Sequence, residues 1–118
     1  MKLQRLIVSP PVKKIRWRNV PMFFLEPVAQ VGEMGESKYG AFDFLDNEEL
    51  TICDHLDSLK RHLNAFESPF ESDNDYESGL NNMAHAAWRA LAICYVMKFK
   101  KHLDDRYKVE KNELKSKD

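Results

Sequence analysis

Apolar residues return every three or four positions along three stretches of the chain, and each stretch predicts a helix. The clearest runs from about Asn47 to Glu67, where Ile52, Leu56, Leu59, Leu63 and Phe66 step by four, three, four and three residues into one continuous seam. Asn47-Glu48-Glu49 supplies a cap and negative charge at the positive end of that helix's dipole. Upstream, Phe24, Val28, Val31 and Met34 mark a helix from Phe23 to about Lys38, with Pro27 tolerated in its first turn and Gly40 as its stop. Gly32 and Gly35 weaken it and suggest close approach by another helix or a ligand. After the polar loop Ser68–Tyr76, a third helix is predicted to start near Glu77 and reach toward Arg106. Leu80, Met83, Ala84, Ala87, Trp88, Leu91, Cys94 and Tyr95 give it a broad apolar face, and its many alanines permit close packing.

The tandem Pro10-Pro11 blocks helix continuation, so residues 1–21 read as an extended arm. The charged stretch 108–118 reads as a fraying tail. The expected architecture is all-α: a single domain over 1–118, with a three-helix antiparallel bundle at 22–107 and an extended N-terminal arm. Three helices, one of them long, bury their faces poorly alone. Helix count therefore predicts a homodimer that completes the bundle.

Composition narrows the partners. In 118 residues there is room for one modest core. Eighteen basic against nineteen acidic side chains leave a formal charge of −1, which gives no footprint for duplex nucleic acid. Lys13, Lys14, Arg16 and Arg18 around Trp17 read as a solvated arm anchored by Trp17 rather than a nucleic-acid site. Cys53 and Cys94 lack metal-ligand spacing and read as reduced thiols, which places the protein in the cytoplasm. Met1–Val8 is too short and too interrupted for a secretory segment, and no apolar run suits a membrane.

Candidate chemistry gathers on the three helices. Glu26 and Glu33 lie two turns apart on one face, and Glu36 follows one turn after Glu33. Such carboxylates are either a solvated acidic face or, with substrate phosphates, a seat for a hard divalent ion. Arg61 suits a bidentate phosphate contact, and Lys38 suits a point-charge contact. Tyr39 either stacks on a base or fills a gap. His62 and His85 read as hydrogen-bonded boundary residues or as groups that meet a ligand. Asp75 and Glu77 are equally explained as helix-capping acids. There is no Gly-rich phosphate loop and no Ser/His/Asp or Cys/His arrangement of recognisable context, which argues against acyl transfer. The set suits a phosphate-bearing ligand held through a divalent metal.

Five strings in order carry a family resemblance: Leu25-Glu26-Pro27-Val28-Ala29-Gln30-Val31, Gly35-Glu36-Ser37-Lys38-Tyr39-Gly40, Arg61-His62-Leu63-Asn64-Ala65, Asp75-Tyr76-Glu77-Ser78-Gly79-Leu80 and Asn82-Met83-Ala84-His85-Ala86-Ala87. They resemble the phage dATP/dGTP diphosphohydrolase N-terminal domain family, which is near the MazG-like all-α nucleoside triphosphate pyrophosphohydrolases. The resemblance implies an all-α bundle and metal-dependent conversion of a purine deoxynucleoside triphosphate to monophosphate and pyrophosphate. Mg²⁺ or Mn²⁺ would sit on Glu33 and Glu36, with Glu26 or Glu77 assisting. Lys38, Tyr39 and Arg61 would hold the nucleotide, and His62, His85 and Glu77 would serve catalysis. Asp43-Phe44 departs from the family's Asn-Trp, and Asn82 replaces the first His of its His-x-x-His. The MazG-like Glu-Glu-x-x-Glu and Glu-x-x-Asp strings do not occur. These departures motivate a rival expectation: a catalytically silent phage protein, in the host cytoplasm, that binds a nucleotide or inhibits a host protein.

Overall fold

In a computed structural model, residues 14–109 are described, and the predicted Leu6–Val8 stretch, the tandem prolines, Lys13 and the tail beyond 109 lie outside them. The described chain is helical: α1 is Met22–Tyr39, α2 the single turn Asp43–Asp46, α3 Ile52–Glu67 and α4 Asn82–Phe99. Short 3-10 turns at Trp17–Asn19 and Lys101–Leu103 flank them. No strand occurs among the described residues, only an isolated bridge between Asn74 and Asn81. No described helix is long and apolar enough to cross a membrane.

The helices exist as expected, but two of the three long ones begin later. Asn47 does not cap α3, because its Oδ1 accepts the N–H groups of Glu49 and Leu50, both at 2.8 Å, in a turn ahead of the helix. The cap is Thr51: its hydroxyl accepts from Asp54 N–H at 3.2 Å, and Asp54 Oδ2 accepts from Thr51 N–H at 3.0 Å. Glu77 does not start α4 either. Residues 75–80 close on themselves through Gly79 N–H to Asp75 O at 2.7 Å, with Gly79 at φ +76°, a region that favours glycine. Asn81 then caps the helix through Met83 N–H at 2.7 Å. At its far end α4 stops at Phe99, short of Arg106, and the chain turns so that Leu103 folds back onto the core.

Helix α1 starts at Met22, which moves Pro27 beyond the first turn and removes the N–H that the carbonyl of Phe23 would receive. Phe23 is 76% exposed, so the missing bond falls on a solvent-exposed turn of the helix. Gly40 ends α1 as predicted, at φ +99°.

The α3–α4 hairpin is antiparallel, and its core sits at one end, where Ile52 and Val96 meet Leu103 with Leu56, Ile93 and Tyr95 around them. The predicted seam holds only there. Leu63 is 39% and Phe66 41% exposed, while the buried stripe of α3 runs Ile52, His55, Ser58. Facing it, the inward stripe of α4 carries Asn82 and His85, both buried, and half-buried Arg89. The hairpin thus has an apolar end and a polar end. Helix α1 packs on α4 and hardly touches α3, so the bundle is open rather than closed. Trp17, expected as an anchor for the arm, is 74% exposed.

Candidate functional site

The open side of the bundle is a cavity of about 1330 Å³ between α1–α2 and the hairpin, reaching from His62 and His85 at the polar end to Val96 and Lys100 at the other. Gly32 brings α1 close to its wall, since a Cβ there would stand 3.4 Å from the indole nitrogen of Trp88. Phe44 meets the same indole edge-on, with ring centroids 5.9 Å apart.

Two imidazoles stack at the polar end. The rings of His62 and His85 lie 4.4 Å apart and within 7° of parallel. Asn82, only 2% exposed, fixes the first of them. Its Nδ2 lies 3.3 Å from Ser72 O and 3.1 Å from Asp73 O, two atoms that only accept, so its Oδ1 must be the end facing His62. His62 Nδ1, at 2.7 Å from that Oδ1, therefore carries the proton, and the lone pair of the neutral ring falls on Nε2. His85 is held on the other side, with Nε2 at 2.7 Å from Ser78 Oγ. Burial, and then the neighbouring His62, lower the proton affinity of His85.

Ser78–His85 has the spacing of a nucleophile and its base, yet it is not a triad. The nearby carboxylate, Asp75, accepts the backbone N–H of Ser78 at 2.8 Å instead of orienting the ring. Burial raises the Asp75 carboxyl, but hydrogen bonding from Ser78 outweighs this and leaves it below the usual range.

One turn further along α4, Arg89 donates to Nδ1 of His55 at 3.0 Å. His55 is 5% exposed, and burial first, then Arg89, lower its proton affinity. An accepting Nδ1 leaves its proton on Nε2.

The sequence-predicted residues fall into three groups. Lys38, Tyr39, Arg61, His62, Glu77 and His85 all line the cavity. Lys38 and Glu77 face each other at 3.3 Å, both largely exposed, an ion pair worth at most about 1 kcal/mol. Glu33 and Glu36 are exposed residues on the α1 side of the same cavity. Glu26 is exposed and does not line it, because two turns of helix carry it about 10 Å along the axis from Glu33. No group of three or more His, Cys, Asp or Glu is poised for a metal among the described residues. The sequence reading missed His55, Arg89, Asn82 as a positioning group, and Trp88 as a wall. Spacing carried the signal for two of them: His55 is seven residues before His62, and Arg89 four after His85, hence on the same helix faces.

Fold and site define a small all-α domain whose largely apolar cavity carries cations and stacked histidines on its wall. The family model for dATP/dGTP diphosphohydrolase, N-terminal, matches residues 9–106, and the chain belongs to that family. A dATP/dGTP diphosphohydrolase of Salmonella phage PMBT28 is 37% identical over 83 residues, covering 70% of this chain and 27% of that protein. The chain spans about a quarter of that relative's length. No solved structure is significantly similar to it.

Proposed function

We propose that the cavity binds a purine deoxynucleoside triphosphate and directs water at its α-phosphorus, releasing monophosphate and pyrophosphate. One observation carries this reading: a single cavity has carboxylates on its α1 side, Glu33 and Glu36, and cations with stacked imidazoles on its hairpin side. The printed name of the phage relative supplies the substrate class. A preformed cage of three ligands is absent among the described residues, but Mg²⁺ is ordinarily held by one or two carboxylates, waters and substrate phosphates. Glu33 and Glu36, one turn apart, fit that role, and Mg²⁺ or Mn²⁺ there would neutralise phosphate charge and acidify a bound water. His62, with its lone pair on Nε2, takes the proton of the attacking water as the bond from the α-phosphorus to its bridging oxygen breaks. His85 stacks on His62 and keeps the ring in place. Tyr39, at the rim, and the Phe44–Trp88 pair offer aromatic surface to a purine.

The test is turnover by the full chain of the four deoxynucleoside triphosphates with Mg²⁺ or Mn²⁺, with products separated by chromatography. Purine substrates should yield monophosphate and pyrophosphate, and His62→Ala should lose about 10²-fold or more in rate. No product from any nucleotide at high protein concentration overturns the hydrolytic reading. The departures Asp43-Phe44 and Asn82 from the family's strings favour one alternative, a domain that binds the nucleotide without cleaving it or that inhibits a host enzyme. Calorimetric binding of dATP or dGTP without turnover would support it.

A further inference from the structure

Four cations line the cavity, and their pairing is unequal. Lys38 faces Glu77 at 3.3 Å, and Lys100 faces Glu48 at 2.6 Å. Arg61 and Arg89 have no carboxylate at ion-pair distance among the described residues. For Arg61, at the surface, water suffices. Arg89 is half-buried, and a buried guanidinium normally has a carboxylate beside it. Here burial, and after it the charge of Arg61, disfavour its protonated form, and nothing anionic nearby offsets them fully.

Its hydrogen-bonded partner is instead the buried imidazole of His55, at 3.0 Å. The difference matters chemically. A carboxylate would hold the guanidinium and cancel its charge. A neutral imidazole holds it through one N–H, leaves the charge intact, and leaves the other four N–H donors of the fork available. The Trp88 ring, 5.6 Å from the guanidinium carbon, supports the side chain without neutralising it. Such a cation, aligned and uncompensated beside a second arginine in a cavity, is arranged for a multiply charged anion with bidentate oxygens.

We infer that Arg89 and Arg61, one from each helix of the hairpin, form a diphosphate grip, with His55 as the positioning residue that orients Arg89 without discharging it. The ligand is the terminal diphosphate of a nucleoside triphosphate, or the same group free as pyrophosphate. The choice of a nucleotide as its carrier rests on the function proposed above, but the grip does not require turnover.

Calorimetric titration of the full chain with inorganic pyrophosphate, dATP and dAMP tests it. Pyrophosphate and dATP should bind the wild-type protein, and Arg89→Met should weaken both by about tenfold or more while leaving dAMP unchanged. Arg89→Lys, which keeps the charge and loses the fork, should fall between, and it serves if Arg89→Met does not fold by circular dichroism. His55→Asp should weaken pyrophosphate binding although it still holds Arg89, whereas His55→Asn, a neutral acceptor, should restore most of it. Failure of the wild type to bind pyrophosphate, or binding as tight as wild type by both Arg89 variants, overturns the grip. Equal binding by His55→Asp overturns the role of His55. Pyrophosphate binding through Arg89 without hydrolysis of any nucleotide leaves the grip standing and removes the hydrolytic reading. Unimpaired turnover by Arg89→Met does the reverse.

Discussion

At the scale of single residues, Asn82 has the largest consequence for its size. As a string it looks like a lost histidine in the family's motif. In the fold its amide ties loop 68–81 to α4 and sets which nitrogen of His62 holds the proton. Asn82→Ala leaves the two loop carbonyls and His62 without their partner and should cost on the order of 3 kcal/mol, read from the unfolding midpoint. Asn82→Asp keeps an acceptor for His62 and loses the donor to the loop. By ¹⁵N spectroscopy of the imidazoles, it should keep the proton on Nδ1 while Asn82→Ala should not. A pH dependence follows from the two buried rings. Burial depresses the proton affinity of both His55 and His85 below the ordinary 6.5, so the unfolded chain binds protons that the folded chain refuses. Their contribution to stability is complete above pH 6.5 and is lost as pH falls through the lower folded values. Melting temperature should therefore drop between about pH 7 and pH 5, and His55→Asn should reduce that slope. A flat profile in the wild type would contradict the buried neutral rings.

At the scale of elements, periodicity located the helices and misplaced their faces. Ile52, Leu56, Leu59, Leu63 and Phe66 do form a stripe, but only its first turn meets the core. Further along, the side of α3 turned inward is the one bearing His55, Ser58 and His62, about one position over on the helical wheel. Hydrophobic pattern alone cannot report this, because a buried polar stripe looks like a solvated one until its partner stripe on α4 is opposite it. Start sites failed for a related reason. Asn47 and Glu77 are good capping residues whose side chains or backbone found local turns first. The apolar end should carry most of the hairpin's stability. Ile52 is fully buried, and Ile52→Ala should cost about 2–5 kcal/mol in chemical denaturation, whereas the same change at 39%-exposed Leu63 should cost far less.

At the scale of the molecule, the bundle is left open, and apolar side chains stay outside it. Among the described residues, Met22 is 81%, Phe23 76%, Phe24 69% and Phe42 66% exposed. Isolated exposed apolar residues need no explanation, but three consecutive ones at the start of α1 are a face that the homodimer expected from helix count would cover. Light scattering should return twice the chain mass, and Phe23→Glu with Phe24→Glu should return the single mass with little change in helicity. A monomer at all concentrations in the wild type would remove this expectation. The openness also makes the site, since a closed three-helix bundle would fill the space that the cavity now occupies between α1 and the hairpin.

The sequence by itself determined the all-α class, the three long helices, the glycine stop of α1 and membership of the diphosphohydrolase family, because each rests on local spacing or contiguous strings. It also marked eight of the cavity's residues: Glu33, Glu36, Lys38, Tyr39, Arg61, His62, Glu77 and His85. Only the tertiary structure decided which helix faces turned inward, that Glu26 stands outside the cavity, and that Arg89 is held by a neutral His55. The inward faces and the Arg89–His55 contact depend on how α3 and α4 pair across 20 to 34 residues of chain, and the place of Glu26 on how α1 packs on α4, where burial and hydrogen-bond satisfaction, not periodicity, select the register.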